Sequence, residues 1–178
     1  MNDRNRVIAL TAILCTWTGV ATGAADSPAA RSFVEQAAQA SMAEVELGKL
    51  AMAKSTNSDV RSFAARMVED HTKANAELAT AARNEDIRLP VALDAKHREI
   101  VDSLTAKSGA DFDTAYARQM ADDHAKAVTL FQSAAASGDL GSDLGGFAMK
   151  TLPTLEEHKQ MADALVAGKH SQSSASSQ

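Results

Sequence analysis

Cysteine is almost missing from this chain of 178 residues, and its one example, Cys15, lies in an N-terminal stretch that reads as a removable leader. With no cysteine in the remainder and no serine motif partnered by a base, nucleophilic catalysis has no candidate residues. Glycine loops of the kind that cradle phosphates are missing too. Proline occurs three times and aromatic residues make up 4 %, while alanine recurs throughout. That combination suits an all-helical fold of one domain's length, with a single core. Long apolar runs are also lacking. Residues 7–20 form a stretch too short, and too interrupted by threonine and glycine, to span a bilayer.

That stretch belongs instead to a secretory signal. Arg4 and Arg6 supply its basic start, residues 7–20 its apolar centre, and Gly23-Ala24-Ala25 a small-residue cleavage site, so residues 1–25 read as a signal peptide. Cys15 follows Leu14 rather than a small residue, which does not suit lipidation. Loss of the leader changes 18 basic against 23 acidic residues to 16 against 22, a formal charge of −6 that argues against nucleic acid as a partner. Residues 168–178 are rich in serine and glutamine without periodicity and read as a disordered tail. The folded domain is expected over residues 26–167 of an exported, periplasmic chain, with outer-membrane association left open.

Four long helices are expected there. Ser32 with Glu35 makes a capping-box pattern that would start the first helix, over residues 32–54. Ser55-Thr56-Asn57-Ser58 forms a turn, and a second helix runs to about Arg83. A long connection follows, containing Leu89-Pro90 and a short helix over residues 94–107 that Ser108-Gly109 closes. The third helix covers residues 111–136. The fourth region ends at Gly168, with Pro153 predicting a kink or a division into two short helices.

A helix packed in a bundle turns one face inward at alternating steps of three and four residues. Four such seams emerge. The first reads Phe33, Ala37, Ala40, Glu44, Leu47, Ala51, and the second Val60, Ala64, Met67, His71, Ala74, Leu78, Ala81. The third reads Ala117, Met120, His124, Ala127, Phe131, Ala134, and the fourth Leu144, Ala148, Thr151, Leu155, His158, Ala162, Leu165. One ionisable residue interrupts the middle of each: Glu44, His71, His124 and His158. Counting from the two short turns brings Glu44 level with His71, and His124 level with His158, each within one helical turn. A carboxylate and three imidazoles converging in a core make a candidate site for one transition-metal ion, with iron, zinc, manganese and copper all suitable. A metal-free hydrogen-bonded network is the alternative.

Neighbouring groups are weighed against that set. Met67, Met120 and Met161 lie close enough in sequence to consider copper, although methionine at helical spacing is more often core filler. Asp70 and Asp123 sit beside seam histidines and read by default as solvated helix-face charge, with orientation of a histidine on an adjacent helix as the sharper reading. They belong to an internal echo, in which Met67-Val-Glu-Asp70-His71 resembles Met120-Ala-Asp-Asp123-His124. His97, in the connection, needs no special role.

Several motifs in order resemble the bacterial domain-of-unknown-function 4142 family: Ala43-Glu44-Val45-Glu46-Leu47-Gly48, Arg66-Met67-Val68-Glu69-Asp70-His71, Leu89-Pro90, Phe112-Asp113 with Tyr116, and Thr151-Leu152-Pro153-Thr154-Leu155-Glu156-Glu157-His158. The resemblance covers residues 33–167. It implies an exported protein, often described as an outer-membrane protein, with a ferritin-like four-helix bundle, and it implies no activity. Ferritin-like di-iron sites use Glu-x-x-His pairs, yet the residues three before His71, His124 and His158 are Val68, Ala121 and Leu155. The bridging carboxylates for two irons are therefore absent. Metal handling or envelope stress defence is the leading expectation, beside a structural or interaction role in the envelope with a protein partner, and a mononuclear metal oxidoreductase.

Overall fold

Ser27 and Pro28 begin the first helix, α1 (Pro28–Lys54), one turn earlier than the Ser32–Glu35 pattern predicts. The Ser27 hydroxyl accepts from the Ala30 amide at 3.0 Å, and Pro28 occupies the first helical turn, where its missing amide leaves no bond unmade. Ser32 is then already helical, and its hydroxyl accepts from the Gln36 side chain instead of capping. The computed structural model describes residues 27–168. The expected signal peptide and all of the expected tail beyond Gly168 lie outside the described residues.

Asn57 caps α2 (Ser58–Asn84), accepting from the Asp59 and Val60 amides. Asp94 caps α3 (Ala95–Thr105) within the long connection. The other two are α4 (Gly109–Ala136) and α5 (Ser142–Val166). Pro153 does not divide the last of these, which runs through it as one helix. The proline is on the exposed side, and Met149, four residues back, is also exposed. The carbonyl that loses its helical donor therefore sits toward water rather than in the core.

Helix α1 packs on α2 and α4, and α5 packs on the same two. The Ser27 hydroxyl donates to the Asp139 carbonyl at 2.9 Å, and the Glu85 carboxylate accepts from the Asp143 and Leu144 amides at 2.9 and 3.1 Å. These bonds gather the start of α1, the end of α2, the end of α4 and the start of α5 at one end of the bundle. Packed neighbours are thus antiparallel, and the diagonal pair α2 and α4 is parallel, which requires one connection running the bundle's length. This is the ferritin-like arrangement. Buried Gln39 fastens the crossover to α1, donating to the Ala92 carbonyl at 3.1 Å and accepting from the Asp94 amide at 2.9 Å. Helix α3 consequently lies along α1 and α4.

Two glycines are required for space. At Gly48 a Cβ would stand 2.8 Å from Val68 Cγ2, so α1 and α2 approach closely beside the site. At Gly141 it would stand 1.6 Å from Glu85 Oε2. Glu85 is 4 % exposed and satisfies two amides that the first turn of α5 leaves free. Charge-assisted bonds of this kind contribute about 1.5–3 kcal/mol. Glu85→Ala and Gly141→Ala are therefore both expected to lower the melting temperature by several degrees, and to be non-additive when combined; additive losses in thermal melts would count against a shared cause.

The core falls into two apolar clusters. One contains Phe33, Leu78, Phe131, Leu144, Phe147 and Leu155 at the Glu85 end. The other contains Leu47, Phe63, Met67, Phe112, Tyr116 and Met120 at the opposite end. No helix among the described residues is long and apolar enough to cross a membrane.

Candidate metal centre

Between those clusters the four helices deliver one ionisable side chain each. Glu44 on α1, His71 on α2, His124 on α4 and His158 on α5 are all at most 4 % exposed. The imidazole centroids are 5.6 Å apart for His71 and His124, 5.4 Å for His71 and His158, and 5.3 Å for His124 and His158. Each histidine offers one ligand nitrogen, and the three lie within 4.8 Å of one another. Glu44 stands beside that trio, its Oε2 3.1 Å from His71 Nδ1 and its Oε1 3.6 Å from His124 Nδ1.

Each ring has one nitrogen engaged and one unpartnered. His124 Nδ1 is 2.8 Å from the Met120 carbonyl, which can only accept, so Nδ1 carries the proton and Nε2 the lone pair. His158 Nε2 is 2.8 Å from Asp70 Oδ2. Partial burial alone would raise the Asp70 carboxyl, but hydrogen bonds from His158 and Arg66 bring it below the ordinary carboxylate value. Asp70 is thus the acceptor, and the lone pair of His158 is on Nδ1. His71 Nδ1 faces both Glu44 Oε2 and the Ser41 hydroxyl at 3.1 Å, and an ionised Glu44 leaves the lone pair on Nε2. The free nitrogens, His71 Nε2, His124 Nε2 and His158 Nδ1, are all buried without a hydrogen-bond partner.

Burial governs the charges. It pushes the Glu44 carboxyl up from 4.5 to about 7, with His124 opposing and Asp123 reinforcing the rise. Burial, together with the neighbouring imidazoles, holds His71 well below its ordinary 6.5. His158 is lowered as well, first by burial, although its bond to Asp70 works the other way. At neutral pH these two rings are therefore neutral, the form in which imidazole binds metal.

Asp70 is the group that the default sequence reading placed in solvent. One position before His71, it is turned about 100° round the helix, toward α5, where Arg66 holds it at 3.2 Å and also holds Glu157 at 2.9 Å. Asp123, its counterpart in the echo, bonds to Gln119 and Lys126 instead. Met67 and Met120 belong to the apolar cluster, and Met161 Sδ lies 3.8 Å from the Arg66 guanidinium. His97 pairs with Asp94 at 2.8 Å.

A family model described as Domain of unknown function (DUF4142) matches residues 16–165. No curated protein matches the chain. Among solved structures, the crystal structure of a DUF305 fragment from Deinococcus radiodurans superposes with a TM-score of 0.69 at 14 % identity, covering 80 % of this chain and 97 % of that one. This likeness concerns the fold.

Proposed function

Because the chain belongs to the domain of unknown function 4142 family, whose name assigns no activity, we propose a function from the site itself: an exported bundle that binds one transition-metal ion at Glu44, His71, His124 and His158. His71 Nε2, His124 Nε2 and His158 Nδ1 are the ligand atoms in this reading, and Glu44 balances charge while orienting His71. The observation that carries it is the set of unpartnered ring nitrogens. A network evolved to be self-sufficient would spend ring nitrogens on one another or on Glu44, whereas here each of three neighbouring imidazoles keeps one buried nitrogen without a partner. Leaving that many buried polar atoms unmatched is unfavourable unless something binds them.

The outer contacts support the same reading. Metal-binding imidazoles usually donate their second N–H to a carboxylate or a backbone carbonyl, which fixes the ring. Glu44, Met120 and Asp70 supply those acceptors for the three rings in turn. Imidazole ligands suit zinc, iron and copper, and the adjacent carboxylate also admits manganese. Three protein ligands leave room for a further ligand, so a bound ion could polarise a small molecule held beside it. We assign the chain to metal handling or stress defence in the periplasm on this basis.

Elemental analysis of the processed protein, purified without a histidine tag, tests the assignment against a His71→Ala/His158→Ala double variant. Near-stoichiometric metal is expected in the parent and none in the folded variant. Negligible metal in both, persisting after incubation with iron, zinc, manganese and copper, would leave a metal-free register device as the explanation.

A further inference from the structure

A metal site buried in the middle of a bundle needs a way in. Of the four ionisable side chains in the layer, Glu44 and His71 also line a cavity of about 160 Å³, whereas His124 and His158 do not. All five helices contribute to its wall, α3 through Lys96, His97 and Ile100. Its origin is visible in the seams. One step from the ionisable layer, three of the four long helices present alanine, and Ala40, Ala74 and Ala127 all line the cavity. That layer is short of side-chain volume, and the space stays open.

The wall changes with depth. Glu44 is 2 % exposed and His71 4 %, and Ser41, whose hydroxyl is 3.1 Å from His71 Nδ1, lines the cavity beside them. These three close the inner end. Asp123 lies farther out, with 19 % of its side-chain surface exposed, and Lys96 and Lys126 are exposed at the rim. Gln36, Asn75 and Thr151 add neutral polar side chains to the wall. Two carboxylates at different depths therefore share one cavity, and Asp123 is near enough to add to the rise of the Glu44 carboxyl. Lys126, which holds Asp123 at 3.2 Å, keeps 67 % of its side-chain surface exposed, so this ion pair is weak and yields readily. Between α2 and α5 the situation differs, because Asp70, the partly exposed group bonded to His158, is already tied to Arg66.

We propose that this cavity is the route by which a divalent cation enters the cluster: Asp123 receives it from solvent, and it passes inward to the three imidazoles as Glu44 and His71 turn aside. The turn is required because the unpartnered nitrogens are buried. This route presupposes the metal site of the preceding section and adds to it a carboxylate, Asp123, that takes no part in the final binding. Lys96 opposes capture by its charge. An obstacle on a route raises the barrier to entry and exit alike, so it changes both rates by one factor and leaves the affinity as it was. Loss of a ligand changes the affinity.

The experiment follows zinc uptake by the metal-free processed chain, and zinc release to excess chelator, by stopped flow with a chromophoric indicator; the equilibrium Kd is measured separately. Ala127→Leu and Ala74→Leu narrow the cavity from two different helices. Each should slow uptake and release by about tenfold or more while Kd stays within about threefold. Asp123→Asn should slow uptake by about three- to tenfold at low ionic strength. Asp122→Asn, which removes the same charge from an exposed neighbour outside the cavity wall, should leave uptake unchanged, and Lys96→Gln should quicken it. Thermal melts show which narrowed variants are folded, and the comparison of Asp123→Asn with Asp122→Asn decides the matter if neither is. Parent-like rates in a folded, narrowed variant would overturn the route, as would a loss of affinity carried by faster release alone, or equal uptake in the two aspartate variants. Absence of zinc binding by the parent at equilibrium would remove the metal reading and the route with it, whereas tight binding with unaltered rates would remove the route only.

Discussion

His124→Leu is expected to abolish stoichiometric metal binding and, at the same time, to raise the melting temperature of the metal-free protein. The two effects share one cause. His124 is fully buried, its Nε2 is unpartnered, and Phe63, edge-on at 6.4 Å, gives an apolar replacement one wall to pack against beside Glu44, His71 and His158. Replacing an unmatched polar group with one of similar volume removes a desolvation penalty of about 1–3 kcal/mol. At about 2–4 °C per kcal/mol for a chain of this size, a rise of roughly 2–12 °C should follow. The bond lost to the Met120 carbonyl subtracts little, because that carbonyl retains its place in the helical ladder. If the histidine served a metal-free network instead, the same substitution would lower the melting temperature, and calorimetry on chelator-treated protein separates the two.

Asp70→Ala is expected to weaken metal affinity by about 10–100-fold, the usual consequence of removing the acceptor that fixes a ligand imidazole. Its effect on the metal-free fold should be far smaller. Asp70 and Arg66 keep 29 % and 39 % of their side-chain surface exposed, and ion pairs in such positions contribute about 0–1 kcal/mol. Asp70→Asn, which retains an oxygen acceptor, should fall between the variant and the parent. Competition titrations with a chromophoric chelator read the affinities; parent-like affinity in Asp70→Ala would show that the His158 ring does not depend on this contact.

Much of this architecture was legible in the seams, because steps of three and four residues are imposed by the helix itself and hold whatever the helix packs against. The four ionisable members of the layer came from that rule, while the turns and the crossover helix came from local signals at Ser55-Thr56-Asn57-Ser58, Leu89-Pro90 and Ser108-Gly109. What could not be read are relations between helices. Asp70 and Asp123 occupy equivalent places in the echo, yet only Asp70 reaches a histidine. Across from α2 stands α5 with His158; across from α4 stands α1, which carries Glu44 instead. Asp123 adds to the rise of the Glu44 carboxyl, and its own bonds are to Gln119 and Lys126. The early start of α1 was missed for a local reason, since Ser32 and Glu35 match a cap pattern but Ser27-Pro28 one turn before matches a better one. Pro153 does not divide its helix in two, because its rule concerns the carbonyl four residues back and the outcome depends on whether that carbonyl faces water.

A polar layer between two apolar clusters also determines how the bundle can come apart. Phe33, Phe131 and Phe147 belong to one cluster and Phe63, Phe112 and Tyr116 to the other, so two separate openings on shared helices are the expectation for the metal-free chain. A cation held by α2, α4 and α5 at mid-height would act as a rivet between those clusters, making neither able to open without releasing it. Occupancy would then be reported across the whole length of the molecule, some distance from the ion, as a change from two openings to one.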